Sequence, residues 1–317
     1  MPDATKTQTE TEAVADATAA PSAATGKTED KPRSLSGDAW FALSHRPMFW
    51  ISSILLLLLL IIAAFPGLFT GADPRDGDLT NHFLTKPELG HFFQADWFGY
   101  DGQGRSIYAR VIYGTRASIL VGVGVTAAVT LVGGLLGMLA GYFGGWLDSI
   151  ISRVTDIFFG IPFLLGAMVV LNAFTERKVY VVILALAFLG WTSICRVMRA
   201  SVITAKQADY VTAARALGAG TPRILFRHVL PNALAPTIVV ATIALGGYIS
   251  AEATLSFLGL GLADPTISWG IDIAEGSQAI RDNPHALLFP AGMLSLTVFA
   301  FIMLGDAVRD ALDPKLR

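Results

Sequence analysis

Apolar residues run along this chain in long blocks rather than at helical or strand intervals. Six blocks, roughly 48–66, 118–143, 157–173, 179–196, 235–258 and 286–305, each approach the ~20 residues a helix needs to cross a ~30 Å hydrocarbon core. Each therefore predicts a membrane-spanning helix. Pro162 interrupts the third block near its start, so that span could begin earlier. The first block, MFWISSILLLLLLIIAAF, follows 47 mostly polar residues with no small-residue cleavage site, which reads as an uncleaved anchor. The pattern predicts an all-α polytopic membrane protein with six transmembrane helices.

The polar stretches divide the chain. Residues 1–36 are rich in Ala, Thr, Glu and Pro without aromatics and cannot offset the entropy of ordering, so a disordered tail is expected. Residues 37–117 give the anchor helix and a long outer loop, and 118–317 a core of five spans with a polar segment at 205–231. Lysine and arginine orient the whole. With the N-terminus inside, fifteen fall on the inner side and eight on the outer, which predicts that both termini are cytoplasmic. Arg105, Arg110 and Arg116 on the outer side weaken that bias.

Composition agrees, with 53% hydrophobic and 15% charged residues against about a quarter charged in soluble domains. The net charge of −2 adds little, since the charges lie outside the blocks, and nucleic acid is not an expected partner. The single cysteine, Cys195, excludes an internal disulfide and reads as a small buried hydrophobe. The five histidines show no metal-ligand spacing, and no Gly-x-Ser-x-Gly elbow is present. Gly26-Lys27-Thr28 imitates the end of a phosphate-binding loop, but Pro21 stands where the first glycine belongs and no strand precedes it. No catalytic, cofactor or metal residues are expected, and any ATP chemistry must come from another chain.

Two features lie within the blocks. Gly133, Gly137, Gly141 and Gly145 recur every four residues, so they line one helical face and allow another helix to approach closely. That helix would belong to this chain or to another subunit. Glu252 is the one carboxylate well inside a span, where a charge costs roughly 2.5–3.5 kcal/mol or more. It reads either as a residue holding helices together or as a substrate or proton contact.

The segment TAARALGAGTPRILFRHVLPN, residues 212–232, carries most of the remaining signal. Asp209 is placed to cap a helix whose face is Tyr210, Ala213, Ala214 and Leu217. Gly218-Ala219-Gly220 ends that helix, and Thr221 with Pro222 starts a second. Ile224, Leu225 and Val229 give the second helix an apolar side, with Arg223 and Arg227 on another. Pro231 is expected to end it and Pro236 to open the next span. Two short helices at an angle, with small exposed residues, suit either a knob that enters a partner's groove or a loop packed on its own bundle.

This segment resembles the cytoplasmic Glu-Ala-Ala motif of permease subunits of ATP-binding-cassette importers. Thr212-Ala213-Ala214, Gly218 and His228-Val229-Leu230-Pro231 stand at the motif's spacing, with Thr212 in place of its glutamate and His228 in place of its isoleucine. The chain is further similar to the C-type permeases of the dipeptide/oligopeptide branch. The similarity lies in WFGYDGQGRSIYARVIYGTRASILVG (97–122), AEATLSFLGLG (251–261), Ser268-Trp269-Gly270 and LGDAVRDALDPKLR (304–317), and covers about residues 37–317. Tyr100 and Ser106 depart from the branch's Gly-Thr-Asp-x-x-Gly-Arg-Asp pattern.

The resemblance implies a type I importer permease fold in a bacterial inner membrane. It also implies a coupling helix (Asp209, Tyr210, Ala213, Ala214, Leu217, Gly218, Arg227, Leu230, Pro231) that docks on an ATPase subunit. The implied partners are a second related permease, one or two ATPase chains, an extracytoplasmic substrate-binding protein, a peptide-like solute and membrane lipid. Nickel, haem or glutathione would be alternative cargoes. A stand-alone secondary transporter is the rival class, and would show inverted repeats, broken helices and several intramembrane charges.

Overall fold

The computed structural model describes residues 41–312 apart from Ala42, so the polar tail and Gly26-Lys27-Thr28 lie outside the described residues. The elements are helical: α1 (Pro47–Ala64), α2 (Ile107–Phe143), α3 (Gly145–Phe159), α4 (Phe163–Asn172), α5 (Val179–Lys206) and α6 (Asp209–Ala216). A short α7 (Thr221–Ile224) passes through a π turn (Leu225–Val229) into α8 (Leu230–Phe257). The chain closes with α9 (Trp269–Gln278) and α10 (His285–Leu312).

The second span starts eleven residues before the apolar block that predicted it. Ser106 caps α2 by accepting from the Ala109 amide at 3.2 Å. Arg110 and Arg116 interrupt the apolar run in the sequence, but Arg110 is buried in ion pairs and so is compatible with a helix interior. The expected division of the chain at 117/118 thus falls inside one continuous helix.

The third block is not one helix. It is two, α3 and α4, bent by 86° across Gly160–Pro162. Pro162 has no amide hydrogen and its ring clashes with the preceding turn, so the chain restarts there as the N-cap of α4. Whether this bent pair crosses the bilayer follows from its neighbours. A methyl group placed on Gly133, Gly137 or Gly141 would sit under 3.0 Å from the carbonyl oxygens of Trp191, Cys195 and Arg199 respectively. As numbers rise on α2 they rise on α5, so these two helices run parallel. The chain leaves α2 at one end and must enter α5 at the other, so α3 and α4 together carry it back across. With α1, α2, α5, α8 and α10 that makes six crossings.

The same contacts identify what the glycine face approaches: α5 of the same chain, against a core of Val125, Val129, Val182 and Leu186. Gly145 does not belong to that face. It lies past the helix end with φ +59° beside Gly144 at φ +66°, and a Cβ there would meet open space. These two glycines turn the chain from α2 into α3 through left-handed backbone that other residues adopt at a cost.

Remaining helices alternate. Ser118 and Gly122 on α2 face Glu252 and Ile249 on α8, and Gly246 and Gly305 place α8 antiparallel to α10. Arg46, just before α1, pairs with Asp310 near the end of α10. The start of α1, the end of α10 and the 205–231 segment therefore share one end of the bundle, and the 69–106 loop caps the other.

Pro231 does not end its helix, nor does Pro236 open a new one, because the run from Thr221 to Phe257 is continuous. Pro231 lies in the first turn of α8, directly after the π turn, where its missing donor is tolerated. The amide side chain of Asn232 donates to the His228 carbonyl at 2.7 Å. Both predicted caps also shift by one residue. Ala208 and Gly220 are the N-caps of α6 and α7, without side-chain cap bonds. Asp209 is the first helical residue, where its charge favours the positive end of the helix dipole.

Candidate functional site

At the end of the bundle that holds the start of α1 and the end of α10, Val211, Ile224, Leu225 and Val229 are buried against Met138, Met198 and Val202. These residues seat the two short helices on the ends of α2 and α5. The predicted face of α6 points away from that seat. Tyr210 is 45% exposed and Leu217 89%. Ala213 and Gly218 are exposed and Ala214 is half-buried. The self-packed arrangement thus holds for the α7 side of the segment and for Val211, but not for Tyr210, Ala213 and Leu217. Gly218 stops α6 with φ +83°. Its amide donates to the Arg215 carbonyl at 3.0 Å and that of Ala219 to Ala214 at 3.1 Å, the paired bonds of a Schellman ending. Arg227 and Pro231 are exposed and Leu230 is half-buried, so they frame the segment. Lys206 donates to the Gly141 and Tyr142 carbonyls at 2.9 and 3.0 Å, tying the start of the segment to the end of α2.

Glu252 lies on α8 with no exposure at all. Its partners are hydroxyls rather than cations: Ser118 on α2 donates at 3.2 Å and Ser256 at 2.8 Å. Each serine also accepts a backbone amide, Ser118 from Trp269 at 3.4 Å and Ser256 from Leu262 at 3.0 Å. The indole of Trp269 donates to the Val111 carbonyl at 3.0 Å. Three stretches that stood out separately in the sequence, 97–122, 251–261 and 268–270, are therefore one contact region around this carboxylate.

At the opposite end, two of the three arginines that weakened the charge count, Arg105 and Arg110, are neutralised. Arg105 donates to Asp101 at 2.8 Å and to Glu275 at 2.5 Å. Arg110 donates through Nε to Asp272 Oδ1 at 2.7 Å, and its Nη2 reaches the same oxygen. Burial would lower the Arg105 guanidinium, but bonding to Asp101 and the charges of Asp101 and Glu275 raise it on balance. Burial pushes Asp272 up to about 6, the Arg110 charge offsetting only part of that. The network joins the loop before α2 to α9 across some 170 residues of sequence, a separation no local pattern reveals. In the same loop His91 lies 2.7 Å from Asp96 and 3.3 Å from Glu88, and bonding to Asp96 raises the imidazole above its usual range. Sequence spacing did not single out this exposed trio.

The family described as "binding-protein-dependent transport system inner membrane component" matches residues 133–317. The "N-terminal TM domain of oligopeptide transport permease C" matches residues 34–87. The oligopeptide transport system permease protein OppC of Bacillus subtilis is 36% identical over 291 residues, covering 92% of this chain and 93% of its own. The dipeptide transport system permease protein DppC of Alkalihalophilus pseudofirmus is 35% identical, covering 88% and 90%. The glutathione transport system permease protein GsiD of Pectobacterium atrosepticum is 39% identical over 223 residues, covering 70% and 74%.

Proposed function

Because the chain belongs to the family of binding-protein-dependent transport system inner membrane components, we propose that it is one permease half of an ATP-driven importer of dipeptides and oligopeptides. The peptide class rests on the names of its relatives. A glutathione-like cargo is the nearest alternative of the same class. The chain performs no chemistry itself. It pairs with a second related permease, receives solute from an extracytoplasmic binding protein, and is driven by one or two ATPase chains on the cytoplasmic side, where both termini and residues 205–231 lie.

The observation that carries this reading is the unpartnered face of α6. A helix seated by Val211 that leaves Tyr210, Ala213 and Leu217 outward is shaped to enter a groove on another protein. The ATPase is its occupant: motion of the ATPase pair would move α6 and, through Lys206 and the Met138–Met198–Val202 seat, the ends of α2 and α5. The bundle then alternates between inward and outward openings.

Gly218→Arg tests this. Arginine at φ +83° strains the backbone and adds bulk beside the docking face, and overpacking alone costs about 1–3 kcal/mol. Ala213→Val adds bulk only and should be milder. Both variants should insert and bind the substrate-binding protein. In reconstituted complexes Gly218→Arg should lose ATPase retention or substrate-stimulated hydrolysis, and with it uptake of dipeptide. Wild-type levels of all three would remove the coupling role of this segment.

A further inference from the structure

The cavity of about 250 Å³ at the end of the bundle opposite α6 carries a charge imbalance that its ion pairs do not remove. Asp101, Asp272 and Glu275 face Arg105 and Arg110, a formal net charge of −1. The wall supplied by α10, Ala286 and Pro290, adds no charge. Both nitrogens of Arg110 that reach Asp272 go to Oδ1. Oδ2 is buried with no hydrogen-bond partner on a side chain only 7% exposed. A buried carboxylate oxygen without a donor is costly, and native proteins satisfy such atoms with protein, water or ligand. Burial, with the nearby Glu275 charge, holds Asp272 up at about 6 despite Arg110 and Arg105.

The rest of the wall narrows the ligand. Ile107, Val111, Ala286 and Pro290 give the pocket an apolar side. A metal ion would use the oxygens and leave that side empty, while a second guanidinium would crowd Arg105 and Arg110. We propose that this pocket binds a primary ammonium group on a short apolar stem. The ammonium sits against the Asp272 and Glu275 carboxylates, and the stem lies against Ile107, Val111 and Pro290. That chemistry is shared by the amino terminus of a peptide and by a lysine side chain of a protein docked on this face.

The test uses the full chain in lipid nanodiscs with n-butylammonium chloride as probe and n-butanol as its uncharged match, read by saturation-transfer NMR. The expected result is saturable binding of the ammonium, with the alcohol weaker by about tenfold or more, the worth of one charge-assisted bond. Glu275→Gln keeps the Arg110–Asp272 pair and should weaken binding several-fold. Asp272→Asn should abolish it. Binding should also fall as pH drops through about 6, because a protonated Asp272 has no charge to offer. Displacement by Ala-Ala but not by N-acetyl-Ala-Ala assigns the amine to peptides. Displacement by a binding protein, lost when its lysines are acetylated, assigns it to that partner. Equal binding of n-butanol, or ammonium binding unchanged in both variants, overturns the proposal. The assay needs neither ATPase nor transport, so its failure leaves the permease reading untouched.

Discussion

Glu252 bonds Ser118 and Ser256, which in turn hold the Trp269 and Leu262 amides, a geometry suited to fastening the 258–268 loop to α2 and α8. Its amide analogue keeps an acceptor for either serine. Glu252→Gln should therefore cost about 1 kcal/mol or less and leave most dipeptide uptake intact. Glu252→Leu strands two buried hydroxyls, at roughly 1–3 kcal/mol each, and should lower the yield of assembled complex. Uptake measured beside complex yield separates this from a proton relay, for which Glu252→Gln would abolish uptake at normal yield. That Glu252 mattered was legible from its isolation in an apolar block. Its partners were not, because Ser118 and Ser256 are unremarkable in composition and Ser118 is 134 residues away. The reverse holds for Arg105 and Arg110. Their sequence positions argued against the topology, and only their pairing with Asp101, Asp272 and Glu275 shows why they do not.

Among the elements, a four-residue spacing within a helix marks one face, and Gly133, Gly137 and Gly141 lie against α5. Gly145 lies off that face, because spacing does not reveal where a helix ends, and paired glycines serve turns as well as close approaches. The distinction is measurable. Gly137→Ala sets a methyl group under 3.0 Å from the Cys195 carbonyl and should cost about 1–3 kcal/mol. Gly137→Leu should prevent α2 from seating on α5 while the chain still inserts. Gly247→Ala, which meets nothing within 4 Å on its helix, is the control and should be neutral or slightly stabilising. Thermal stability of the detergent-purified chain ranks the three, and a Gly137→Leu protein as stable as Gly247→Ala would show that α2 and α5 do not touch there. Proline marked the break in the third span but misled at α8. Pro162 breaks a span that apolar content suggested was whole, while Pro231 and Pro236 are absorbed by a run of helix that the same rule would have ended. The difference is register, because a π turn precedes Pro231 whereas nothing relieves Pro162.

For the molecule as a whole, the parallel run of α2 and α5 fixes an even number of crossings, and with it the placing of residues 205–231 beside both described ends of the chain. The apolar blocks gave the count directly. What they could not give is that the third crossing is two helices at 86°, since length and hydropathy are blind to a bend. Which end faces the cytoplasm rests on the lysine and arginine bias, and one labelling experiment decides it. Cys195 is buried beneath the glycine face, so Cys195→Ser supplies a cysteine-free chain at little structural cost. Leu217→Cys and Phe92→Cys, at sites 89% and 65% exposed, then report opposite ends, separated by α2, whose 37 residues span about 55 Å at the ~1.5 Å rise of a helix. A membrane-impermeant maleimide should reach position 92 in intact cells and position 217 only in inverted vesicles. Reaction of both from one side would break the six-crossing fold. Exchange of the two would keep the fold but put α6 outside, where no ATP is available to a partner, and the importer reading would fall with it.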